Sequence, residues 1–336
     1  MSLQDQRDEV QTPKRRGRGC LLWLGLFVVV VLGLMLVGAL YESAAEAADA
    51  RAFPPPGQMI DVGGYRLHIN CAGTGSPTVV IDAGWGDWSA SWSSWVQPEA
   101  AKTMRVCTYD RAGMGYSDAG PLPRNAGQFA SELHTLLHRA GIPGPYVLVG
   151  HSLGGLPVRV FAHEYAAEVA GVVLLESMNP RQSKQSATDT KPQAASKSGV
   201  SSILSLPARI GLLRLFAGPL GFKPALSPEV RQAYTAYSVT PRSIQTTLDE
   251  GTAMPKSLAQ AGAVTTFGDL PLIVLSSGLN REPNWQAMQA ELMQLSTNSQ
   301  QLFADKSGHN IELEQPDVAV SAIVMMAEKV RQTAQK

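Results

Sequence analysis

The sequence predicts an α/β fold, a mostly parallel eight-stranded sheet flanked by helices, behind one N-terminal transmembrane helix. Three observations carry this reading. The run Cys20–Leu40 holds no charged side chain. From Gly57 onward, short apolar stretches alternate with longer amphipathic ones, the pattern of strands buried between helices. After the sixth strand a series of helical pieces interrupts that alternation, as an inserted lid would.

The first element reads CLLWLGLFVVVVLGLMLVGAL. At about 1.5 Å per residue it spans roughly the 30 Å of a bilayer core. Lys14, Arg15, Arg16 and Arg18 precede it, and Glu42, Glu46 and Asp49 follow. The positive-inside tendency then puts residues 1–19 in the cytoplasm and the remainder outside it, on a single-pass signal-anchor. A cleaved signal peptide is the second reading, since Ala45-Glu46-Ala47 and Ala48-Asp49-Ala50 resemble small-x-small sites. The run is longer than the usual apolar region of about 7–15 residues in such peptides. Residues 41–56 form a linker whose Ala/Glu run favours helix until Pro54-Pro55-Pro56 stops it.

The charge distribution fits this division. Lys plus Arg is 28 and Asp plus Glu is 28, and the zero is a sum of +2 over 1–19, 0 over 20–40, −3 over 41–50 and +1 thereafter. The informative part is the step across the apolar run. A domain this close to neutral is not a uniformly basic nucleic-acid binder. Three cysteines without a CxxC spacing make neither a disulfide scaffold nor a structural zinc site.

Beyond the linker, residues 57–336 read as one domain. Candidate strands are Met59–Val62, Tyr65–Cys71, Thr78–Ile81, Arg105–Tyr109, Tyr146–Val149, Val169–Leu175, Leu272–Leu275 and Gln300–Phe303. Gly63-Gly64 joins the first two as a hairpin. Candidate helices are Ala126–Ala140, Leu153–Tyr165, Trp285–Gln294 and Pro316–Gln332, each with apolar residues three and four apart. The insertion, at about 177–269, opens with a polar loop over Arg181–Gly199. Helical pieces follow over Val200–Phe216, Ser227–Tyr237 and Pro241–Glu250, with a weaker one to Ala261. Trp88, Trp92 and Trp95 have the spacing of one helix face, which assigns Trp92 and Trp95 to the core, whereas Trp85 reads as a pocket wall.

The chemistry is concentrated at one motif. Tyr146–Val149 runs into Gly150-His151-Ser152-Leu153-Gly154-Gly155, and a helix follows. This is G-x-S-x-G in the strand–turn–helix setting that lifts a serine hydroxyl above a sheet, with glycines relieving the crowded turn. A serine hydroxyl needs a base. Of the six histidines, His309 follows the last strand, in Lys306-Ser307-Gly308-His309-Asn310, at the sheet edge where such folds hold their ligands. His151 lies in the motif but points away on such a turn. His68 is on a strand, and His134, His138 and His163 are on amphipathic helices.

These landmarks, together with Val80-Ile81-Asp82-Ala83-Gly84-Trp85-Gly86 and Tyr109-Asp110-Arg111-Ala112-Gly113-Met114-Gly115-Tyr116-Ser117, fall in one order. From about Pro55 to the C-terminus the chain resembles the α/β-hydrolase superfamily, in particular membrane-anchored bacterial members similar to serine esterases. The resemblance implies a catalytic triad of Ser152, His309 and an acid, with no cofactor and no metal. It offers two places for the acid. After Leu272–Leu275 the residue expected to be Asp is Asn280, a departure that leaves Glu282 as the carboxylate there. After Val169–Leu175 it is Glu176, the preferred choice. The oxyanion hole implied is the backbone amides of Leu153 and Trp85, although many relatives carry His-Gly where this chain has Ala83-Gly84. Asp110, ending a strand before a Gly-rich turn, reads as structural. The usual sheet order makes the strands of Cys71 and Cys107 neighbours, so the two are either a disulfide or a pair of buried thiols.

The expected activity is hydrolysis of carboxylic esters, through an acyl-enzyme, of a small and hydrophobic substrate. Acyl transfer, peptide hydrolysis or cofactor-free peroxidation would use the same residues, and a hydrolase fold kept as a membrane-tethered binding module is the non-enzymatic alternative. Expected partners are the substrate and the membrane, with no nucleic acid.

Overall fold

The computed structural model describes residues 17–182, 204–220, 223, 225–280 and 283–334. Most of the expected polar loop, from residue 183, lies outside the described residues, as do the start of the expected helix at 200 and the alternative acid Glu282.

Helix α1 runs unbroken over Gly17–Ala52. Its apolar part is long enough to cross a membrane, and every side chain from Leu21 to Val30 is exposed. The helix passes Leu40 without a break because Ala and Glu favour it, and it ends just before Pro54, whose ring disfavours helix at the preceding residue.

Eight strands follow: β1 (Gln58–Asp61), β2 (Arg66–Ala72), β3 (Thr78–Asp82), β4 (Arg105–Tyr109), β5 (Tyr146–His151), β6 (Val169–Leu175), β7 (Leu272–Ser277) and β8 (Ser299–Ala304). They form one sheet in the order β1-β2-β4-β3-β5-β6-β7-β8. Strand β2 is antiparallel to both its neighbours, and the rest pair in parallel. Parallel strands covered on both faces are apolar throughout, and each face takes alternate residues. Thus Val147 and Val149 of β5 pack on one side with Val173 and Leu175 of β6, while Tyr146 and Leu148 pack on the other with Val172 and Leu174.

Helices α2 (Ala90–Ser93), α3 (Val96–Ala100) and α12 (Pro316–Ala334) cover the first face. Helices α4 (Ala126–Arg139) and α5 (Gly155–Glu164) cover the second. Asn125 caps α4 by accepting from the Gln128 amide.

Between β6 and β7 lie α6 (Leu206–Arg209), α7 (Leu212–Leu220), α8 (Pro228–Ser238) and α9 (Pro241–Ala263). The helix expected over 200–216 is broken at Gly211, which has φ +70° beside the Tyr41 ring, a conformation glycine adopts without strain. The two pieces expected over 241–261 are a single helix. Thr240 caps it, and it tolerates Pro255 in its interior. Helices α10 (Pro283–Leu292) and α11 (Ile311–Glu314) complete the described domain.

The tryptophan spacing was a poor guide. Trp88 and Trp92 are buried, but in separate apolar clusters. Trp95 is not in the core. It precedes α3, is 41 % exposed, and donates from its indole to the Ala225 carbonyl. A short helix over 90–93 cannot carry all three on one face. Cys71 and Cys107 face each other in the β2–β4 register and are joined by a disulfide, with Cα atoms 4.0 Å apart.

Candidate active site

Parallel strands end on one edge of the sheet, and that edge brings the expected residues together. Ser152 immediately follows β5, with φ 51°. This left-handed backbone is uncommon for a residue with a side chain and marks a tight elbow. Gly150 and Gly154 make the elbow possible. A Cβ at Gly150 would lie 2.6 Å from the Gly155 Cα, and one at Gly154 would lie 2.4 Å from the Asp82 carbonyl oxygen.

His309, in the segment after β8, meets the serine, with Nε2 3.0 Å from Ser152 Oγ. Its side chain is 43 % exposed, so the pair is open to solvent. On the far side of the ring, Nδ1 lies 3.5 Å from Glu176 Oε2, longer than a normal N–H···O bond. Glu176 follows β6 and is fully buried, with φ 41°. Its carboxylate is fixed by other donors. Oε1 accepts from the Ser277 amide at 2.6 Å and Oε2 from the Trp285 indole at 2.7 Å. The structure therefore brings Ser152, His309 and Glu176 into one row. Among the described residues of the loop after β7, Asn280 stands where the family's carboxylate is expected. The Asn280 main chain is held by Ser277 and Gln286.

The segment after β3 lies beside the elbow. A Cβ at Gly84 would stand 3.4 Å from the Ser152 Cβ. Arg111, buried, donates to the carbonyls of Ala83 and Gly84 at 2.6 Å each. A carbonyl and the following amide point in opposite directions across a trans peptide. Binding the Gly84 oxygen therefore turns the Trp85 N–H away from Arg111. The guanidinium also pairs with Asp82 at 2.7 Å and with Glu250 of α9 at 2.8 Å. Leu153, buried, lies in the turn Ser152–Gly154 that leads into α5, where the first backbone amides lack intrahelical partners. Trp85 is 53 % exposed and donates to the Thr247 carbonyl of α9 at 2.8 Å, so it lines the surface between sheet edge and insertion.

Behind His309 lies a buried cluster that the sequence did not signal. His151 Nε2 is 2.9 Å from the His309 carbonyl oxygen, and the two rings are 5.0 Å apart. Burial, and then the nearby His309, hold the His151 imidazole down to about 4. Asp87, Glu312 and Lys223 surround it, with Lys223 Nζ 2.7 Å from Asp87 and 3.9 Å from Glu312. Burial pushes the Glu312 carboxyl up to about 7. Asp110 is structural in its contacts, accepting from the Ser89 and Tyr116 amides and meeting the buried His68 ring at 2.9 Å.

Among the described residues, two groups of side chains have the ligand atoms a metal would need, Asp87/His151/Glu312 and His134/His138/Glu168. In the second, each imidazole lies 3.0 Å from a Glu168 oxygen, so the three form a hydrogen-bonded surface cluster as they stand.

Comparison with known proteins agrees with this architecture. A probable transporter, efuK, from Hormonema carpetanum is 35 % identical over 127 residues, and the match takes in 35 % of this chain but only 18 % of the transporter. The uncharacterized protein YqjL of Bacillus subtilis is 26 % identical, covering 75 % of this chain and 83 % of its own length. A thermophilic esterase from Thermogutta terrifontis superposes with a TM-score of 0.61 at 22 % identity over 81 % of this chain and 98 % of the esterase, a likeness of fold. The model of the alpha/beta hydrolase fold family matches residues 77–316, so the chain belongs to that family.

Proposed function

We propose that this hydrolase is a serine esterase in which Ser152 is the nucleophile, His309 the general base and acid, and Glu176 the orienting carboxylate. The observation that carries the reading is the 3.0 Å approach of His309 Nε2 to a serine held at φ 51° on the elbow. Ser152 Oγ attacks the ester carbonyl as its proton passes to His309 Nε2. The amides of Leu153 and Trp85 take the oxyanion, each such donor contributing on the order of 3 kcal/mol to the barrier. Collapse of the intermediate passes the proton from His309 to the leaving alcohol. Water, deprotonated by the same nitrogen, then releases the acid and restores Ser152. Glu176 keeps His309 in the tautomer with its proton on Nδ1 and stabilises the imidazolium.

We also propose that α1 anchors the enzyme, with residues 1–19 cytoplasmic and the hydrolase domain outside. The Cys71–Cys107 disulfide supports that side, since such bonds persist in oxidising compartments. A fluorophosphonate probe should label the full chain in membranes, and Ser152→Ala should abolish both labelling and hydrolysis of short p-nitrophenyl esters. Labelling that persists in Ser152→Ala would remove Ser152 from the role.

A further inference from the structure

Helix α1 is not a bare tether. Between Leu21 and Ala52 the residues that lose exposure are Val31, Met35, Gly38, Glu42, Ala45, Glu46 and Asp49, while the positions between them stay exposed. That is one stripe at helical spacing, and it begins inside the apolar run. The insertion covers part of it. A Cβ at Gly38 would stand 2.4 Å from the Ile210 carbonyl oxygen, so the α6–α7 corner touches α1 within the segment that the apolar run assigns to the bilayer. Just beyond, Arg214 of α7 donates to both Glu42 oxygens, at 2.8 and 2.9 Å, and to Asp49 at 2.5 Å. The guanidinium is thereby neutralised where α1 leaves the apolar run.

The same corner carries Leu206, Leu212, Leu215 and Phe216, all exposed, the last two at 60 % and 54 %. Among residues 204–220 there is no acidic side chain. Apolar side chains clustered beside a membrane-crossing helix need an apolar neighbour. The corner also leads to the nucleophile. Ser205 bonds Gln245 of α9 at 3.0 Å, Thr247 of α9 holds the Trp85 indole, and the adjacent Gly84 lies against Ser152.

We propose that the α6–α7 corner is a membrane-docking surface. Leu206, Leu212, Leu215 and Phe216 sit among the acyl chains of the leaflet that α1 crosses, and the enzyme draws long-chain esters from that leaflet. This rests on the anchor and esterase readings above, and the experiment separates all three. In a Cys20→Ser background, the environment-sensitive fluorophore NBD is attached at Leu215→Cys, at Leu32→Cys in α1, or at Ser321→Cys on the exposed side of α12. Each full chain is reconstituted in phosphatidylcholine vesicles with doxyl-labelled lipids. Circular dichroism melting confirms that each variant is folded.

Quenching at residue 215 at least twofold above that at 321 is the expected result. Quenching at 32 without quenching at 215 overturns the docking surface and leaves the anchor standing. Quenching at neither overturns both, and quenching at 215 alone supports docking against the anchor. Separately, Leu215→Glu with Phe216→Glu should cut kcat/KM at least tenfold for a palmitoyl ester carried in the vesicles while leaving a water-soluble acetyl ester unchanged. Equal rates of this variant and the parent on both esters overturn the delivery role. Absence of turnover by the parent on either ester refutes the esterase reading instead.

Discussion

His151 donates from Nε2 to the main-chain oxygen of His309, so the histidine before Ser152 steadies the segment that carries His309. The contact needs a proton on Nε2, and the bare Nδ1 has no hydrogen-bond partner among the described residues. His151→Phe should keep the packing and lose the bond, lowering kcat roughly tenfold with little change in KM, whereas His151→Gln should recover part of it. Steady-state kinetics on a soluble ester decides this, and equal kcat for the Phe and Gln variants would show that the bond does not matter.

The same imidazole makes stability depend on pH. Its folded value of about 4 lies below the roughly 6.5 of a free histidine. Between those values the unfolded chain binds a proton that the fold refuses, so stability is lost as pH falls from 6.5 toward 4. Glu312 gives the opposite slope, holding its proton in the fold and losing that contribution as pH rises from about 4.5 toward 7. Asp87 and Lys223 face both groups. Thermal melts of the parent and His151→Gln at pH 4.5 to 7.5 isolate the histidine. The parent should lose Tm faster on acidification, and parallel curves would contradict the assignment.

Glu176 is held by Ser277 and Trp285 more closely than it holds His309. Glu176→Gln should lower kcat by about 10²- to 10⁴-fold with folding intact. Trp285→Phe removes only the indole donor from Oε2, so its cost should be smaller, on the order of tenfold in kcat. Near-normal turnover in Glu176→Gln would transfer the role to another carboxylate, with Glu282 the first to test.

Arg111 binds two buried carboxylates and two carbonyls at once. Arg111→Met leaves Asp82 and Glu250 buried without their cation, and breaking a buried pair in this way costs about 3–5 kcal/mol. Urea unfolding should show that loss. Activity per folded molecule should fall too, because the Gly84–Trp85 peptide is released. A loss of stability with full activity would separate Arg111 from the placement of that peptide.

The disulfide closes a loop with a sequence separation of 36 residues. In the chain-entropy model such a link contributes roughly 3–4 kcal/mol. Cys71→Ser with Cys107→Ser should lower the urea midpoint accordingly. In intact cells the parent's pair should resist alkylation until reduced. Free thiols at both positions would place the domain on the reducing side of the membrane.

Much of the fold was legible because its signals are local. Each candidate strand is present with ends shifted by no more than two residues, since apolar runs between turn residues set them. Ser152 and Glu176 were legible as residues ending buried strands, and His309 as the histidine after the last one. What escaped depends on tertiary approach. Trp285 looked like the start of an amphipathic helix, and nothing in its neighbourhood announces a carboxylate 109 positions earlier. His151 was read as turned away from the site, and it does turn from the serine, only to meet the backbone of His309. The break at Gly211 and the continuity through Pro255 follow from contacts with Tyr41 and the core, which override local preference.

The strand order leaves β1 and β8 as the outer edges of the sheet. Exposed backbone on an outer strand can template pairing with another molecule, and proteins confined to a surface meet one another often. Here β1 is only four residues long and ends at Asp61, which is engaged by Arg139. Strand β8 opens with Ser299, Gln300 and Gln301. Neither rim offers a long apolar ladder for a second copy to extend, so crowding alone should not drive these sheets into edge-to-edge aggregates.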